Sequence, residues 1–151
     1  MSLWADYVAA HPEHAGATPP VGPFGDSPAL ADELLALVLA GPKRATAGPP
    51  DPDEPVVVGG HWVVTDGSGV ERAVLRTTQV RTGRLDSVDD AFAHDEGEGD
   101  RTRASWLTEH RRYVRRVLGR TPDADVDHVE VVFERFAVVW PPEHADPAPA
   151  G

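Results

Sequence analysis

Residues 24–48, FGDSPALADELLALVLAGPKRATAG, contain the signals for a complete helix and for both of its ends. Ser27 is a good N-cap residue, and Pro28 suits the first helical position, where its missing N–H is no loss. Gly41 is the residue type that ends helices in the left-handed conformation, and the proline after it cannot continue one. The pattern therefore predicts a helix over residues 28–40.

The predicted helix is amphipathic, so one side of it should pack on a core. Its apolar residues recur at three- and four-residue spacing: Leu30, Leu34, Leu37 and Val38, with Leu35 and Leu39 widening the face. The chain presents Lys43, Arg44 and Thr46 directly after this helix. A rigid helix that delivers an ammonium and a hydroxyl three residues apart can build a polar site. The alternative interpretation is a solvent-exposed helix end, since exposed basic residues are the norm.

The composition is that of an ordinary globular domain. The chain has 151 residues, 40% of them hydrophobic and 26% charged, which suits one domain with a sizeable core. A formal net charge of −11 argues against broad binding to phosphate backbones, which relies on clustered lysine and arginine. There is no cysteine, which excludes disulfides and thiolate chemistry. No secretory signal is visible and no apolar run approaches the roughly 20 residues of a membrane span, so we expect a cytoplasmic protein with no membrane partner.

Helix and loop signals divide the rest of the chain. A serine, threonine or aspartate that can act as N-cap precedes each of three further predicted helices. These helices are 2–10, from Asp86 or Ser87 to about His94, and from Thr102 to Leu118. Segments rich in proline, glycine or acidic residues predict loops. The predicted loops are 11–23, 48–55 and 93–101.

Strand signals are concentrated in three segments. The sequence DGSG at 66–69 is a hairpin signal between runs rich in β-branched residues at 56–65 and 70–82. The last strand region, 126–140, changes the phase of its apolar alternation near Glu134, which predicts a bulge or a sharp bend.

These elements favour an α+β fold. We expect a small curled antiparallel β-barrel with flanking helices, built from 56–65, 70–82 and 128–140, with the helix at 28–40 over one opening. Residues 1–141 are assigned to this single domain, and the proline- and alanine-rich residues 142–151 are predicted to be a disordered tail.

The acidic run DEGEGD at 95–100 does not fit a calcium-binding loop, because the required glutamate at the twelfth position is absent. It is interpreted as a solvated loop before the helix that begins after Thr102. His61, His94 and His128 lack the spacing of zinc ligands. We therefore expect neither a metal nor a cofactor.

Several separated motifs together are similar to those of one known family. They are FGDSPALADELLALVLAGPKRATA (24–47), VLRTTQVR (74–81), FAHDEGEGDRTRASW (92–106) and FERFAVV (133–139). With these motifs in this order, the chain resembles the ASCH-domain family, whose fold is related to PUA-type RNA-binding barrels. Gly41 and Lys43 match the core signature of the family, whereas Gly48 stands where an arginine often lies.

The resemblance implies a site. Some small family members are amidohydrolases that act on an acetylated cytidine, and their Lys, Thr and Glu constellation maps onto Lys43, Thr46 and Glu96. Glu98 is the nearest competing carboxylate. In the implied chemistry the threonine oxygen attacks an amide carbonyl, the lysine acts as base or charge stabiliser, and the glutamate orients the lysine. We expect the side chains of Lys43, Thr46 and Glu96 to converge on one cleft.

The resemblance also leaves other functions open. Other relatives bind or cleave RNA, and the same lysine could stabilise charge on a phosphate in a metal-independent ribonuclease. A non-catalytic RNA- or nucleotide-binding module is the alternative to an enzyme. The expected partner is a small nucleoside, a nucleotide or a short single-stranded RNA, bound by a monomer or a homodimer.

The candidate ligand-binding residues beside this constellation are Arg44, Arg76, Glu98 and Trp62. Trp62 either stacks on a base or forms a core or cleft wall, as its apolar surroundings favour. Arg76, in a strand, points either into a polar cleft or to solvent.

Overall fold

The computed structural model of this protein describes residues 2–147, which contain four α-helices and five β-strands. The helices are α1 (Leu3–Ala10), α2 (Pro28–Ala40), α3 (Asp90–Glu96) and α4 (Arg103–Val117). The strands are β1 (Val21–Pro23), β2 (Ala45–Gly48), β3 (His61–Thr65), β4 (Glu71–Arg84) and β5 (Glu130–Trp140). No helix in this part of the chain is both long enough and apolar enough to span a membrane.

The five strands form one curled half-barrel sheet in the order β1-β3-β4-β5-β2. The predicted α+β class and the curled sheet are confirmed, and the predicted hairpin at 66–69 joins β3 to β4. One detail is corrected: β1 pairs with β3 in parallel, so the sheet is mixed rather than purely antiparallel. A parallel pair needs a crossover connection, and the chain between β1 and β3 supplies one through α2.

Two short strands carry no signal of their own in the sequence. β1 has three residues and falls inside the predicted loop 11–23, and β2 has four residues directly after the turn that ends α2. Each is ordered by the hydrogen bonds of its neighbouring strand rather than by its composition. Conversely, residues 56–58 were expected as strand but lie in a loop, where Val57 and Val58 are more than half exposed.

The apolar alternation of β5 changes phase at the predicted place. Val131 and Phe133 are buried in one core cluster, whereas Phe136 and Val138 are buried in another. The pairing of β4 with β5 slips at the same point, where Thr78 is the extra residue on β4. Because alternate residues of a strand point to opposite faces, the two apolar pairs of β5 contribute to cores on opposite faces of the sheet, and the bulge itself lies on the partner strand β4.

Helices cover the sheet on both faces. α2 contributes Leu34, Leu35 and Val38 to one core cluster. The other members of this cluster are Phe24, Val64, Ala73, Leu75, Phe136 and Val138. α3 and α4 pack over the cluster that includes Leu85, Phe92, Trp106, Leu107, Val114, Val131 and Phe133. α1 contributes Tyr7 to a third, smaller cluster with Val63 and Val74.

The ends of the predicted helices are largely confirmed. Ser27 caps α2 through a hydrogen bond from Leu30 N at 3.1 Å, and Gly41 ends the helix with φ 116°. Ser2 and Thr102 cap α1 and α4 in the same manner.

The third helix differs from the prediction. Asp89 caps α3 by accepting a hydrogen bond from Phe92 N at 2.8 Å, whereas the predicted cap Asp86 is paired with Arg84 in the preceding turn. α3 then continues to Glu96 inside the predicted loop 93–101. This extension makes Glu96 the last residue of a helix rather than part of a solvated loop.

The predicted tail, residues 142–151, is described as far as residue 147, and residues 148–151 lie outside the described residues. Asp146 accepts hydrogen bonds from Nε and Nη2 of Arg44, both at 2.9 Å. It also accepts one from Val138 N at 2.9 Å. Residue 146 is therefore held against both β5 and the segment after α2.

Candidate functional site

Lys43 lies at the centre of a buried cluster of ionisable side chains. Only 1% of its surface is exposed, and its Nζ donates to Glu98 Oε2 at 2.7 Å and to Ala45 O at 2.8 Å. Glu96 Oε1 lies 3.7 Å from the same nitrogen. A buried ammonium is stable only when carboxylates and hydrogen-bond acceptors surround it. Lys43 and Glu96 are thus brought together, and Glu98 is the direct partner of the lysine.

Aromatic side chains of α4 hold Glu96 in place. Its Oε2 accepts a hydrogen bond from Trp106 Nε1 at 2.6 Å and lies 3.2 Å from His110 Nε2. Burial alone would raise the pKa of Glu96, but the Lys43 ammonium and His110 outweigh burial and lower it. Glu96 is therefore a permanent carboxylate at neutral pH.

The position of His110 determines its protonation. Nδ1 lies 3.0 Å from Trp106 O, and Nε2 faces the Glu96 carboxylate, so both ring nitrogens face acceptors. A neutral imidazole carries only one N–H, so an ionised Glu96 requires a doubly protonated His110. Burial would lower the pKa of His110, but the Glu96 carboxylate outweighs burial and raises it. His110 is not among the site residues predicted from the sequence, although its four-residue spacing from Trp106 places both on one helix face.

Glu98 is in a different environment from Glu96. Its side chain is 33% exposed, and burial together with the neighbouring Glu96 raises its pKa to about 7. A carboxyl group that titrates near neutral pH can take up and return a proton, whereas the buried Glu96 carboxylate cannot. The two candidate carboxylates are therefore suited to different tasks: Glu96 to positioning Lys43, and Glu98 to proton exchange.

Gly97 allows the acidic segment to approach Lys43 closely. It ends α3 with φ 72°, and a Cβ atom at this position would lie 2.8 Å from Pro42 C and O. Beside it, Arg44 N donates to Asp95 O at 2.8 Å. The turn after α2 and the end of α3 therefore meet backbone to backbone, which is how residues 53 positions apart share one cluster.

Thr46 lies on a neighbouring groove rather than inside the cluster. This cavity of about 750 Å³, which we call the strand groove, is closed on one side by the proline-rich loop after β2. Its other main lining residues are Phe24, Thr46, Trp62, Tyr113, Val132 and Glu134. Among the described residues, no hydrogen bond joins the Thr46 hydroxyl to Lys43.

The buried cluster and the strand groove are nevertheless adjacent. Lys43 Nζ donates to Ala45 O, the carbonyl of the peptide bond that leads into Thr46. The same nitrogen lies 5.4 Å from the centroid of the Phe24 ring, which forms part of the groove wall. The ammonium is therefore fixed directly behind the groove surface on which Thr46 lies.

Trp62 forms a wall of the strand groove. Its Nε1 donates to Gly22 O at 3.1 Å, and its ring packs edge-on against Phe24 with centroids 4.4 Å apart. A second cavity of about 620 Å³ lies beside the groove and also contacts Trp62 and Glu134. The sequence pattern predicted only a bulge or a sharp bend near Glu134, and the place of this residue in the groove was not predicted.

The two candidate arginines lie away from the strand groove. Arg44 is bound by Asp146 and by two backbone carbonyls, those of Val38 and Lys43. Arg76 is exposed and is the register partner of His61 on β3. Within residues 2–147, no group of three or more His, Asp or Glu side chains is arranged to hold a metal ion.

Comparison with known proteins identifies relatives of the whole domain. The family model described as "ASCH domain" matches residues 21–140. A crystal structure of an ASCH domain from Lactobacillus crispatus JV V101 has a TM-score of 0.77 and 26% sequence identity, and the match covers 91% of each chain. A crystal structure of a protein from Enterococcus faecalis V583 has a TM-score of 0.79 and 28% identity, covering 91% of this chain and 85% of that one. No protein of curated function matches the chain.

Proposed function

This chain belongs to the ASCH domain family, and we propose that it hydrolyses an amide bond of a nucleoside bound in the strand groove, such as an acetylated cytidine. One observation carries the proposal: the Lys43 ammonium is fixed by Glu96 and Glu98 directly behind Thr46. The size of the groove supports a small ligand, because cavities of 300–1,000 Å³ are typical for such molecules. The net charge of −11 disfavours long RNA.

In the proposed reaction Thr46 is the nucleophile and Glu98 carries the proton. The Thr46 oxygen attacks the amide carbonyl carbon, and the hydroxyl proton passes through solvent water to the Glu98 carboxylate, which is partly exposed but does not line the groove. The C–N bond breaks as Glu98 returns that proton to the departing amine. Water then hydrolyses the acyl-threonine ester, which releases the acid and restores the hydroxyl.

Lys43 acts in this scheme through its charge. Its Nζ already faces three acceptors, Ala45 O, Glu98 Oε2 and Glu96 O, so it has no free N–H to offer a substrate. A fixed positive charge in a site shielded from water stabilises negative charge that develops nearby. Glu96 and the aromatic residues behind it keep that charge in position.

A nucleotide-binding module without turnover is the second candidate. The observation that favours it is the same saturation of Lys43 Nζ, since a lysine with three protein acceptors is a good structural element. Under this alternative the strand groove binds its ligand and no product forms.

Product formation on acetylated cytidine and on a short single-stranded RNA distinguishes these functions. We expect Lys43→Ala and Glu96→Gln to lower turnover of the nucleoside about a hundredfold or more, with a smaller effect on affinity. Thr46→Val should abolish amide hydrolysis. Glu109→Gln, which removes an exposed carboxylate on α4, is the matched control and should change little.

The outcomes separate the candidates. Hydrolysis that survives both Lys43→Ala and Glu96→Gln would exclude this site. Binding without product in every variant would favour the binding module, and cleavage of the RNA without amide hydrolysis would favour a metal-independent ribonuclease.

A further inference from the structure

Glu134 is a buried carboxyl group that faces the strand groove. The residue is 9% exposed, and its Oε2 accepts a hydrogen bond from Thr77 Oγ1 at 2.6 Å. Its Oε1 receives no hydrogen bond from any described residue. Since no fully buried side-chain oxygen or nitrogen within residues 2–147 lacks a partner, Oε1 must be reachable by solvent, and Glu134 lines both the strand groove and the cavity beside it.

No positive charge compensates this carboxyl group in the part of the chain that the structure describes. Burial raises the pKa of Glu134, the hydrogen bond from Thr77 lowers it, and no charged neighbour contributes. A buried carboxyl without a cation costs stability, and such groups are concentrated at binding sites. If Glu134 served only to stabilise the bulge of β4 through its hydrogen bond with Thr77, it would need only Oε2.

The surroundings of Glu134 indicate a planar ligand. In the antiparallel pairing of β2 with β5, Glu134 is directly opposite Thr46, so the two side chains share one face of the sheet. Trp62 and Glu134 line both the strand groove and the neighbouring cavity, so they stand where the two cavities meet. Among these groups, Oε1 of Glu134 is an acceptor without a donor, and the indole ring of Trp62 forms an apolar wall.

We propose that Glu134 determines the specificity of the strand groove by accepting an N–H from the edge of a planar nitrogen heterocycle that lies against Trp62. This inference rests on the proposed function for the use of the groove, but it concerns recognition rather than chemistry. It assigns a role to a residue outside the Lys43, Thr46 and Glu96 constellation. The preferred ligands are bases with an N–H on the edge that faces Glu134, such as the exocyclic amine of cytidine.

Binding of two nucleosides that differ only in that N–H tests the inference. The probes are cytidine and N4,N4-dimethylcytidine, which keeps the ring and the sugar but lacks the exocyclic N–H. Neither contains an amide that the enzyme could hydrolyse, so calorimetry measures affinity alone. The variants are Glu134→Gln, Glu134→Leu and, as matched control, Glu109→Gln, which removes an exposed carboxylate on α4 that does not line the groove.

Wild type should bind cytidine about tenfold or more tightly than the dimethyl analogue, as expected for a hydrogen bond to a charged or buried acceptor. Glu134→Leu should reduce this preference to less than about twofold, Glu134→Gln should lower it, and Glu109→Gln should keep it. If Glu134→Leu does not fold, the inference is tested by comparing the preference of wild type with that of Glu134→Gln.

The inference is overturned if wild type binds both nucleosides equally or binds neither, or if the preference survives unchanged in the folded Glu134 variants. Absence of amide hydrolysis with the preference intact would end the proposed function and leave this inference standing. Turnover of acetylated cytidine without a preference for cytidine over N4,N4-dimethylcytidine would support the proposed function and overturn this inference.

Discussion

At the scale of single residues, the site depends on which charges are buried together. Lys43 and Glu96 are each 1% exposed, and His110 completes the contacts of the glutamate. Removing one partner of such a pair leaves the other buried and uncompensated, which costs more than the pair itself contributes. The cluster is therefore expected to respond strongly to single substitutions and less to matched double ones.

Lys43→Met tests this coupling. The substitution keeps the apolar stem and removes the charge, so Glu96 and Glu98 lose their shared cation and the free energy of unfolding should fall by about 3–5 kcal/mol. Urea unfolding measures the change. The double variant Lys43→Met with Glu96→Gln should recover part of the loss, and a loss below about 1 kcal/mol for the single variant would contradict a buried ionic cluster.

Glu98 should make stability dependent on pH. Burial and Glu96 raise its pKa from 4.5 to about 7, so between these values the native state holds a proton that the unfolded state has released. The contribution is fully present below pH 4.5 and is lost as the pH rises through 7. Glu98→Gln should therefore flatten the fall in the urea midpoint between pH 5 and 7.5, whereas Glu109→Gln should leave it unchanged. A slope that is identical in wild type and Glu98→Gln would refute the raised pKa.

At the scale of elements, the site is made where the end of one helix meets the turn that follows another. α2 delivers Lys43 after its glycine cap, and α3 ends at Glu96 with Gly97 in the left-handed conformation. Neither helix contacts a substrate in the proposed function. Both helices hold the segment after α2 and the end of α3 close together and restrict their movement.

Gly97→Ala should separate these segments. A Cβ atom would meet the backbone of Pro42 at 2.8 Å, in addition to the strain of a positive φ, so the acidic segment must move away from Lys43. Gly119→Ala is the matched control, since Gly119 has φ 65° and nothing within 4 Å of the added carbon. The control should lose about 1–2 kcal/mol of stability from backbone strain, and Gly97→Ala should lose more and also lose turnover or ligand affinity. Equal losses in both variants, with ligand affinity and turnover preserved, would mean that the close approach is unimportant.

At the scale of the whole molecule, contacts between distant parts of the chain keep the sheet and the site in register. The paired side chains of Arg44 and Asp146 lie 102 positions apart, and Asp146 also binds the backbone of Val138 on β5. Arg44 follows Lys43 directly, so this contact connects the C-terminal segment to the site.

Removing residues 142–151 should therefore destabilise the domain, because Arg44 loses a partly buried carboxylate that accepts two hydrogen bonds. The expected loss is about 1.5–3 kcal/mol by urea unfolding, the range for hydrogen bonds to charged groups. Asp146→Asn should reproduce part of it. Removal of residues 148–151 alone retains every described contact of Asp146 and is the control. A full truncation as stable as wild type would show that the Arg44 contact contributes nothing.

Several elements could be predicted from the sequence because their signals are local. Ser27, Pro28 and Gly41 define α2 through capping and backbone preferences that act within a few residues. The hairpin at 66–69 and the phase change near Glu134 are also local patterns, and both are present in the structure. Together with the family motifs, they were sufficient for the fold class. The resemblance implied that Lys43, Thr46 and Glu96 converge on one cleft; Lys43 and Glu96 do lie together, whereas Thr46 lies on the neighbouring groove.

Other features could not be predicted, because they depend on neighbours from elsewhere in the chain. β1 and β2 are strands because β3 and β5 supply their hydrogen bonds, and Arg44 is occupied because Asp146 reaches it. The contrast between Glu96 and Glu98 has the same origin, since two glutamates two positions apart differ in burial and in pKa. The physical reason is that hydrogen bonding, burial and charge at a given residue are set by whatever packs against it, and the local sequence does not specify those partners.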